Sequence, residues 1–264
     1  MALAINNAGQ VAGHANVNGV ERAFLYTPGV GMADIGPCCA AAIRINEVGQ
    51  VTGIYDGSAF VYTSGSGRVY LTVPNGNSFA FGINDLGQVV GDYGSSSTNY
   101  NFRAFFWDPI SGMIDLGVLS GDSSHAYAVN NAGQVAGWSN GHVFCYTPGA
   151  GMIDLGGLSV PSSIRDINNA GQIVGATTVG DAWRGIVYAA GSGWTGLDPL
   201  PGFTSSTAYH ISGSGYVIGF SSNASGEYHV VRWDPVPEPS SLLALCSGLV
   251  SAGALLRRRR RRRS

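Results

Sequence analysis

The chain has 264 residues, of which 45% are hydrophobic, 11% are charged and 40 are glycine. That composition excludes a disordered chain, supplies enough apolar residues for a core, and suits a turn-rich β-protein of one or two domains. There is no lysine: before Arg257 seven arginines face sixteen acids, a net charge of −9, and seven more arginines at the C-terminus carry +7. An acidic body gives no electrostatic reason to bind nucleic acid or an anionic membrane surface.

The first predicted element is a hairpin built on Ile5-Asn6-Asn7-Ala8-Gly9-Gln10-Val11-Ala12-Gly13. The same phrase returns from Ile45, Ile83, Val129 and Ile167, and a worn copy starts at Ile211. Asn-x-x-Gly between β-branched residues suits a type I turn whose last residue takes positive φ. Asparagine at the turn's first position can bond its own backbone. The turn residues are thus Asn6 and Gly9, Asn46 and Gly49, Asn84 and Gly87, Asn130 and Gly133, Asn168 and Gly171, and Gly215 in the worn copy. The glycine that ends each phrase is expected to close the second strand. Those first glycines are spaced by 40, 38, 46, 38 and 44 residues, and a period of about 40 marks a supersecondary unit repeated around a propeller or along a solenoid.

A third segment in each unit is aromatic: Ala23-Phe24-Leu25-Tyr26, Ala59-Phe60-Val61-Tyr62, Ala104-Phe105-Phe106-Trp107, Val143-Phe144-Cys145-Tyr146, Gly185-Ile186-Val187-Tyr188 and Val230-Val231-Arg232-Trp233. Apolar at successive positions, most of these strands should be covered on both faces. A fourth segment, such as Met113-Ile114-Asp115-Leu116-Gly117, follows a glycine-rich turn in five of the six units. The predicted fold is therefore all-β: a six-unit propeller-like domain over residues 1–235, with about four short antiparallel strands per unit. The segments number 23. A twenty-fourth strand upstream of Met1 would complete the sixth blade and close the ring. The phrase begins almost at Met1, where an exported chain should carry a signal peptide, so the reading places the true start upstream.

The tail, residues 236–264, has three parts. Pro237, Glu238 and Pro239 end the preceding strand. Residues 240–256 are uncharged and as a helix would rise roughly 25 Å, near the lower limit for one transmembrane helix. Arg257, Arg258, Arg259, Arg260, Arg261, Arg262 and Arg263 would stay cytoplasmic as a stop-transfer cluster.

This order closely resembles the PEP-CTERM sorting signal of Gram-negative, biofilm-forming bacteria. The resemblance implies recognition of Pro237, Glu238 and Pro239 by an exosortase-type transpeptidase. It also implies transient anchoring in the inner membrane, then transfer to the cell surface or the exopolysaccharide matrix. An ordinary C-terminal anchor is the plainer alternative. The Ile-Asn-x-x-Gly-Gln-Val-x-Gly phrase, the Ala-Phe-x-Tyr/Trp strand and the Gly-Met-Ile-Asp-Leu-Gly strand resemble HAF repeats of probable extracellular bacterial proteins. That likeness spans residues 4–235 and implies location and architecture but no reaction. The histidine of the name is replaced by Arg22, Ser58 and Arg103 in three units, while His142 precedes Val143-Phe144.

Candidate chemistry is sparse. Asp34, Asp115 and Asp154 recur beside one turn and are expected to cap it; Glu47 and Asp85 are expected to be solvated turn residues. His14, His125, His142, His210 and His229 have no metal-ligand spacing, so neither metal nor cofactor is expected. Cys38 or Cys39 could pair with Cys145, although buried free thiols are the preferred reading; Cys246 falls in the predicted membrane helix. The favoured function is an exported, non-catalytic surface or matrix protein, with extracellular polysaccharide as a candidate ligand. The alternative is a propeller-fold carbohydrate-active hydrolase or lyase, which needs two carboxylates roughly 5–10 Å apart near a channel. Asp122, Asp166 and Asp181, which do not follow the repeat, are the acids that could reopen that case.

Overall fold

The computed structural model describes residues 1–38, 41–73, 76–94, 101–158 and 163–235. They form 23 strands in six antiparallel meanders and no helix. The first sheet contains β1 (Ala2–Ile5), β2 (Val11–Val17), β3 (Val20–Thr27) and β4 (Gly31–Cys38). The second contains β5 (Ala41–Ile45), β6 (Val51–Tyr55), β7 (Ser58–Thr63) and β8 (Gly67–Leu71). The third contains β9 (Asn77–Ile83), β10 (Val89–Gly94), β11 (Arg103–Asp108) and β12 (Gly112–Gly117). The fourth contains β13 (His125–Val129), β14 (Val135–Ser139), β15 (His142–Thr147) and β16 (Gly151–Gly157). The fifth contains β17 (Ser163–Ile167), β18 (Ile173–Val179), β19 (Ala182–Ala189) and β20 (Gly193–Leu197). The sixth has three strands among the described residues: β21 (Ser205–Ile211), β22 (Val217–Ser222) and β23 (Tyr228–Trp233).

The repeated phrase does two things at once. Within a unit, Gly9 N donates to Asn6 O at 3.0 Å, with Gly9 at φ +72°, and Asn6 Oδ1 accepts from Gln10 N at 3.0 Å. Between units, Asn6 Nδ2 donates to Asn46 O at 3.0 Å, Asn46 to Asn84 O at 2.8 Å and Asn84 to Asn130 O at 2.8 Å. Asn130 then donates to Asn168 O at 2.9 Å and Asn168 to Ser212 O at 3.0 Å. These side chains are buried, where an unpaired amide would be costly. The neighbouring turn position forms a parallel chain: Asn7 N donates to Glu47, Glu47 N to Asp85, Asp85 N to Asn131 and Asn131 N to Asn169. Glu47 is exposed and Asp85 half-buried, yet both tie adjacent units together, which corrects the view of them as merely solvated.

The glycine ending each phrase does not close the second strand; it lies inside it. Each innermost strand carries a β-bulge opposite this glycine, leaving Leu3, Ile43, Phe81, Tyr127, Arg165 and Tyr209 without a cross-strand partner. A Cβ at Gly91 would sit 1.8 Å from Phe79 O, at Gly175 2.0 Å from Ser163 O, and at Gly219 1.9 Å from Thr207 O. Glycine is required there by the closeness of the neighbouring backbone.

Five apolar clusters fill the five spaces between consecutive sheets. Ala12, Leu25 and Ile35 meet Val51 and Phe60 in the first, and Val174, Val187 and Leu197 meet Ala208, Ile211 and Val217 in the last. The aromatic strands of the first five sheets are covered on both faces as their pattern predicts. The sixth departs from it. Ile218 stands where Val90, Ala136 and Val174 are wholly buried, yet it is 46% exposed; Val230, the counterpart of the buried Ala104 and Val143, is 74% exposed. Among the described residues no comparable cluster joins the sixth sheet to the first, so the array has an apolar open seam.

Candidate functional site: the central channel

The six innermost strands, β1, β5, β9, β13, β17 and β21, all line one cavity of about 350 Å³. The bulges decide what enters it. An extra residue re-aims the side chains beside it, and the cavity wall is built from bulge residues and their successors: Phe81, Tyr127, Arg165, Arg44, Asp166 and His210.

Asp166 is held by backbone. Its Oδ1 accepts from Ile167 N at 2.9 Å and its Oδ2 from Ile211 N at 3.0 Å, while His210 Nδ1 lies 3.4 Å from Oδ2. The Arg165 guanidinium lies 5.1 Å from the centre of the Tyr209 ring, within cation–π range. Among the described residues Arg44 Nη1 donates to its neighbour's carbonyl, Ile43 O, at 3.1 Å. Enclosure by the sheets pushes the Arg44 pKa down; Asp166 opposes this and the like charge of Arg165 adds to it. Burial and the charge of Asp92 raise the Tyr127 phenol to about 12, against the pull of Arg165, so it stays a neutral donor.

Behind Tyr127 lies a group that follows no repeat position. Asp92, 4% exposed, pairs with His125 Nδ1, and the His125 ring stacks on Tyr127 with centres 6.1 Å apart and planes at 9°. Burial raises the Asp92 pKa, while the hydrogen bond and charge of His125 restrain the rise.

The recurring aspartates lie elsewhere, on the fourth strands. Asp34, Asp115 and Asp154 accept from the backbone of Gly36, Gly117 and Gly156. Each also pairs with the residue just before the aromatic segment: Arg22, Arg103 and His142. In these three units the position before the aromatic segment is therefore an ion-pair position. Of the three acids outside the repeat, Asp166 lines the channel, whereas Asp122 and Asp181 sit on exposed turns. The turn residues Asn46, Asn84, Asn130 and Asn168 border a second cavity of about 330 Å³ at one end of the channel. Among the described residues no group of three or more His, Cys, Asp or Glu could hold a metal, and no helix is long and apolar enough to cross a membrane. Cys145 is a half-buried free thiol whose pKa is raised by burial. Cys39, the Cys38 side chain, Cys246, residues 237–239, the 240–256 segment and Arg257 to Arg263 lie outside the described residues.

Apart from Asp166, the channel residues escaped the sequence reading because they stand at the two positions that do not repeat. They lie three and two residues before each turn asparagine (or Ser212), amid otherwise recurring text. That local variability was the available signal.

Residues 235–262 match the family model of the PEP-CTERM protein-sorting motif. The motif marks an exported chain that is processed by an exosortase and sorted to the cell surface. No curated protein is significantly similar to the chain. Among solved structures it is similar to virginiamycin B lyase from Staphylococcus aureus, at 12% identity and TM-score 0.55, over 90% of this chain and 85% of that one. It is also similar to the β-propeller domain of the trilobed protease from Pyrococcus furiosus, which has an open velcro topology, at 11% identity and TM-score 0.60, covering 90% and 79%. TolB from Acinetobacter baumannii matches at 12% identity and TM-score 0.52, covering 84% and 62%. At these identities the likeness shows the fold alone, which is propeller-like.

Proposed function

We propose that the chain is a non-catalytic HAF-repeat protein of the cell surface or exopolysaccharide matrix of a Gram-negative bacterium. In this reading residues 1–235 are the displayed domain and residues 236–264 the sorting signal. Pro237, Glu238 and Pro239 are the residues the exosortase recognises. Residues 240–256 hold the chain in the inner membrane, and Arg257 to Arg263 keep its end in the cytoplasm until processing. The match of residues 235–262 to the sorting motif carries the reading. The channel is consistent with binding rather than hydrolysis, since among the described residues Asp166 is the one carboxylate lining the cavity of about 350 Å³ and two backbone amides already bind it. The test is release from cells that contain an exosortase. Glu238→Ala should leave the protein in the membrane fraction; unchanged release would mean that the tail is a plain anchor.

A further inference from the structure

We propose that the central channel binds an acidic sugar, with the ligand carboxylate held between Arg44 and Arg165 and its ring set against Phe81 and Tyr127. The first observation is one of pairing. Of the seven arginines in the body, Arg22, Arg103, Arg184 and Arg232 form ion pairs with aspartates, and Arg68 donates to Ile35 O at 2.8 Å. Among the described residues Arg44 and Arg165 have no carboxylate within ion-pair distance, and both enter the same cavity. Like charges that line one cavity favour an anion between them, and two guanidinium groups suit a carboxylate by charge and by fork geometry. Asp166 lines the same cavity, but its oxygens already accept from backbone amides, so it offsets only part of the charge.

The second observation concerns shape. The cavity lies within the size range of small-ligand sites. Phe81 and Tyr127, 5.8 Å apart between ring centres and inclined at 41°, give it an apolar wall. The neutral Tyr127 hydroxyl and His210 supply groups for sugar hydroxyls. A bare inorganic anion would leave that wall unused; a neutral sugar would leave both arginines unpaired. The assignment rests on the reading of a matrix protein, but it is tested on purified protein, so failure of sorting and failure of binding are separate results.

The experiment is calorimetric titration of the purified full chain with D-galacturonate, D-galactose, acetate and inorganic phosphate. Galacturonate should bind saturably, and each of the other three at least about tenfold more weakly. Arg44→Gln and Arg165→Gln should each weaken galacturonate about tenfold or more, and Arg184→Gln, outside the channel, should not. Thermal melts of the same variants establish that they fold. In the wild type, raising NaCl from about 50 to about 500 mM should weaken galacturonate several-fold. Galactose binding as tightly as galacturonate would overturn the role of the arginines. Acetate or phosphate binding as tightly would overturn the sugar. Unaltered affinity in both channel variants would overturn the site.

Discussion

Replacing Asn84 tests whether the repeated asparagine is a turn former or a link between sheets. Its side chain is 4% exposed. Its amide donates to Gln88 Oε1 at 2.7 Å and to Asn130 O at 2.8 Å, and its Oδ1 accepts from Leu86 N at 3.1 Å and Gln88 N at 3.0 Å. Asn84→Ala removes all four bonds at a buried site, and at about 1 kcal/mol net per bond the expected loss is about 4 kcal/mol. Asn130 O keeps its bond from Gly133 N at 3.0 Å, so part of the damage is contained. Asn84→Ser separates the two roles, because Ser212 in the sixth unit shows what serine does there. Its Oγ accepts from Tyr216 N at 3.0 Å, retaining a turn bond without an amide to reach the next sheet. Asn84→Ser should therefore recover about 1 kcal/mol relative to alanine. Ser212→Asn should be neutral to within about 0.5 kcal/mol, since the seam leaves the new amide no carbonyl to reach. Urea denaturation of the full chain, followed by tryptophan fluorescence, measures all three. A loss below about 1.5 kcal/mol for Asn84→Ala would refute the account, and so would equal losses for alanine and serine.

Three further outcomes follow from the same geometry. Gly91→Ala, whose Cβ would meet Phe79 O at 1.8 Å, should cost more than about 3 kcal/mol or abolish folding, whereas Ala136→Gly in the neighbouring sheet should cost about 1 kcal/mol or slightly more; thermal melts compare them. The carboxyl of Asp108 is held at about 2 by the Gln88 amide and by the backbone of Ser111 and Ile110. Its folded pKa lies below its unfolded one, so its stabilisation is present above about pH 4 and is lost as pH falls towards 2; Asp108→Asn should flatten the melting temperature across that window. Amide exchange should be slower in the second to fifth sheets, which have a filled cluster on each side, and fastest in the first and sixth. Uniform protection would mean that the seam is filled in solution.

Much of the architecture was legible because the repeat is strong and local. The Asn-x-x-Gly turns, the aromatic segments and the Asp-Leu-Gly segments each mark one strand, and the described residues contain the 23 strands that those signals count. The bulges were not legible. An extra residue leaves no mark in a pattern read by alternation, and the glycine at 91 or 175 looks like a strand end rather than a place where the neighbouring strand passes within contact distance. The channel site was hidden for the same reason, since bulges carry Tyr127 and Arg165 into it. Nor could the turn asparagine announce its second partner, a carbonyl 38 to 46 residues away. The tail needed no folding argument at all. Its three parts act through order and composition.

The open seam has a geometric consequence for the channel. In a closed ring every interface constrains every other, and the bore is fixed by the number of units. Among the described residues six sheets are held by five filled interfaces, so their arrangement is that of a split washer. A small rotation at each interface need not cancel around a circuit. It accumulates at the gap, and the bore changes with it. The diameter available at Arg44 and Arg165 is then governed by how far the first and sixth sheets stand apart, and anything that bridges those two edges would set the calibre of the pore from a distance.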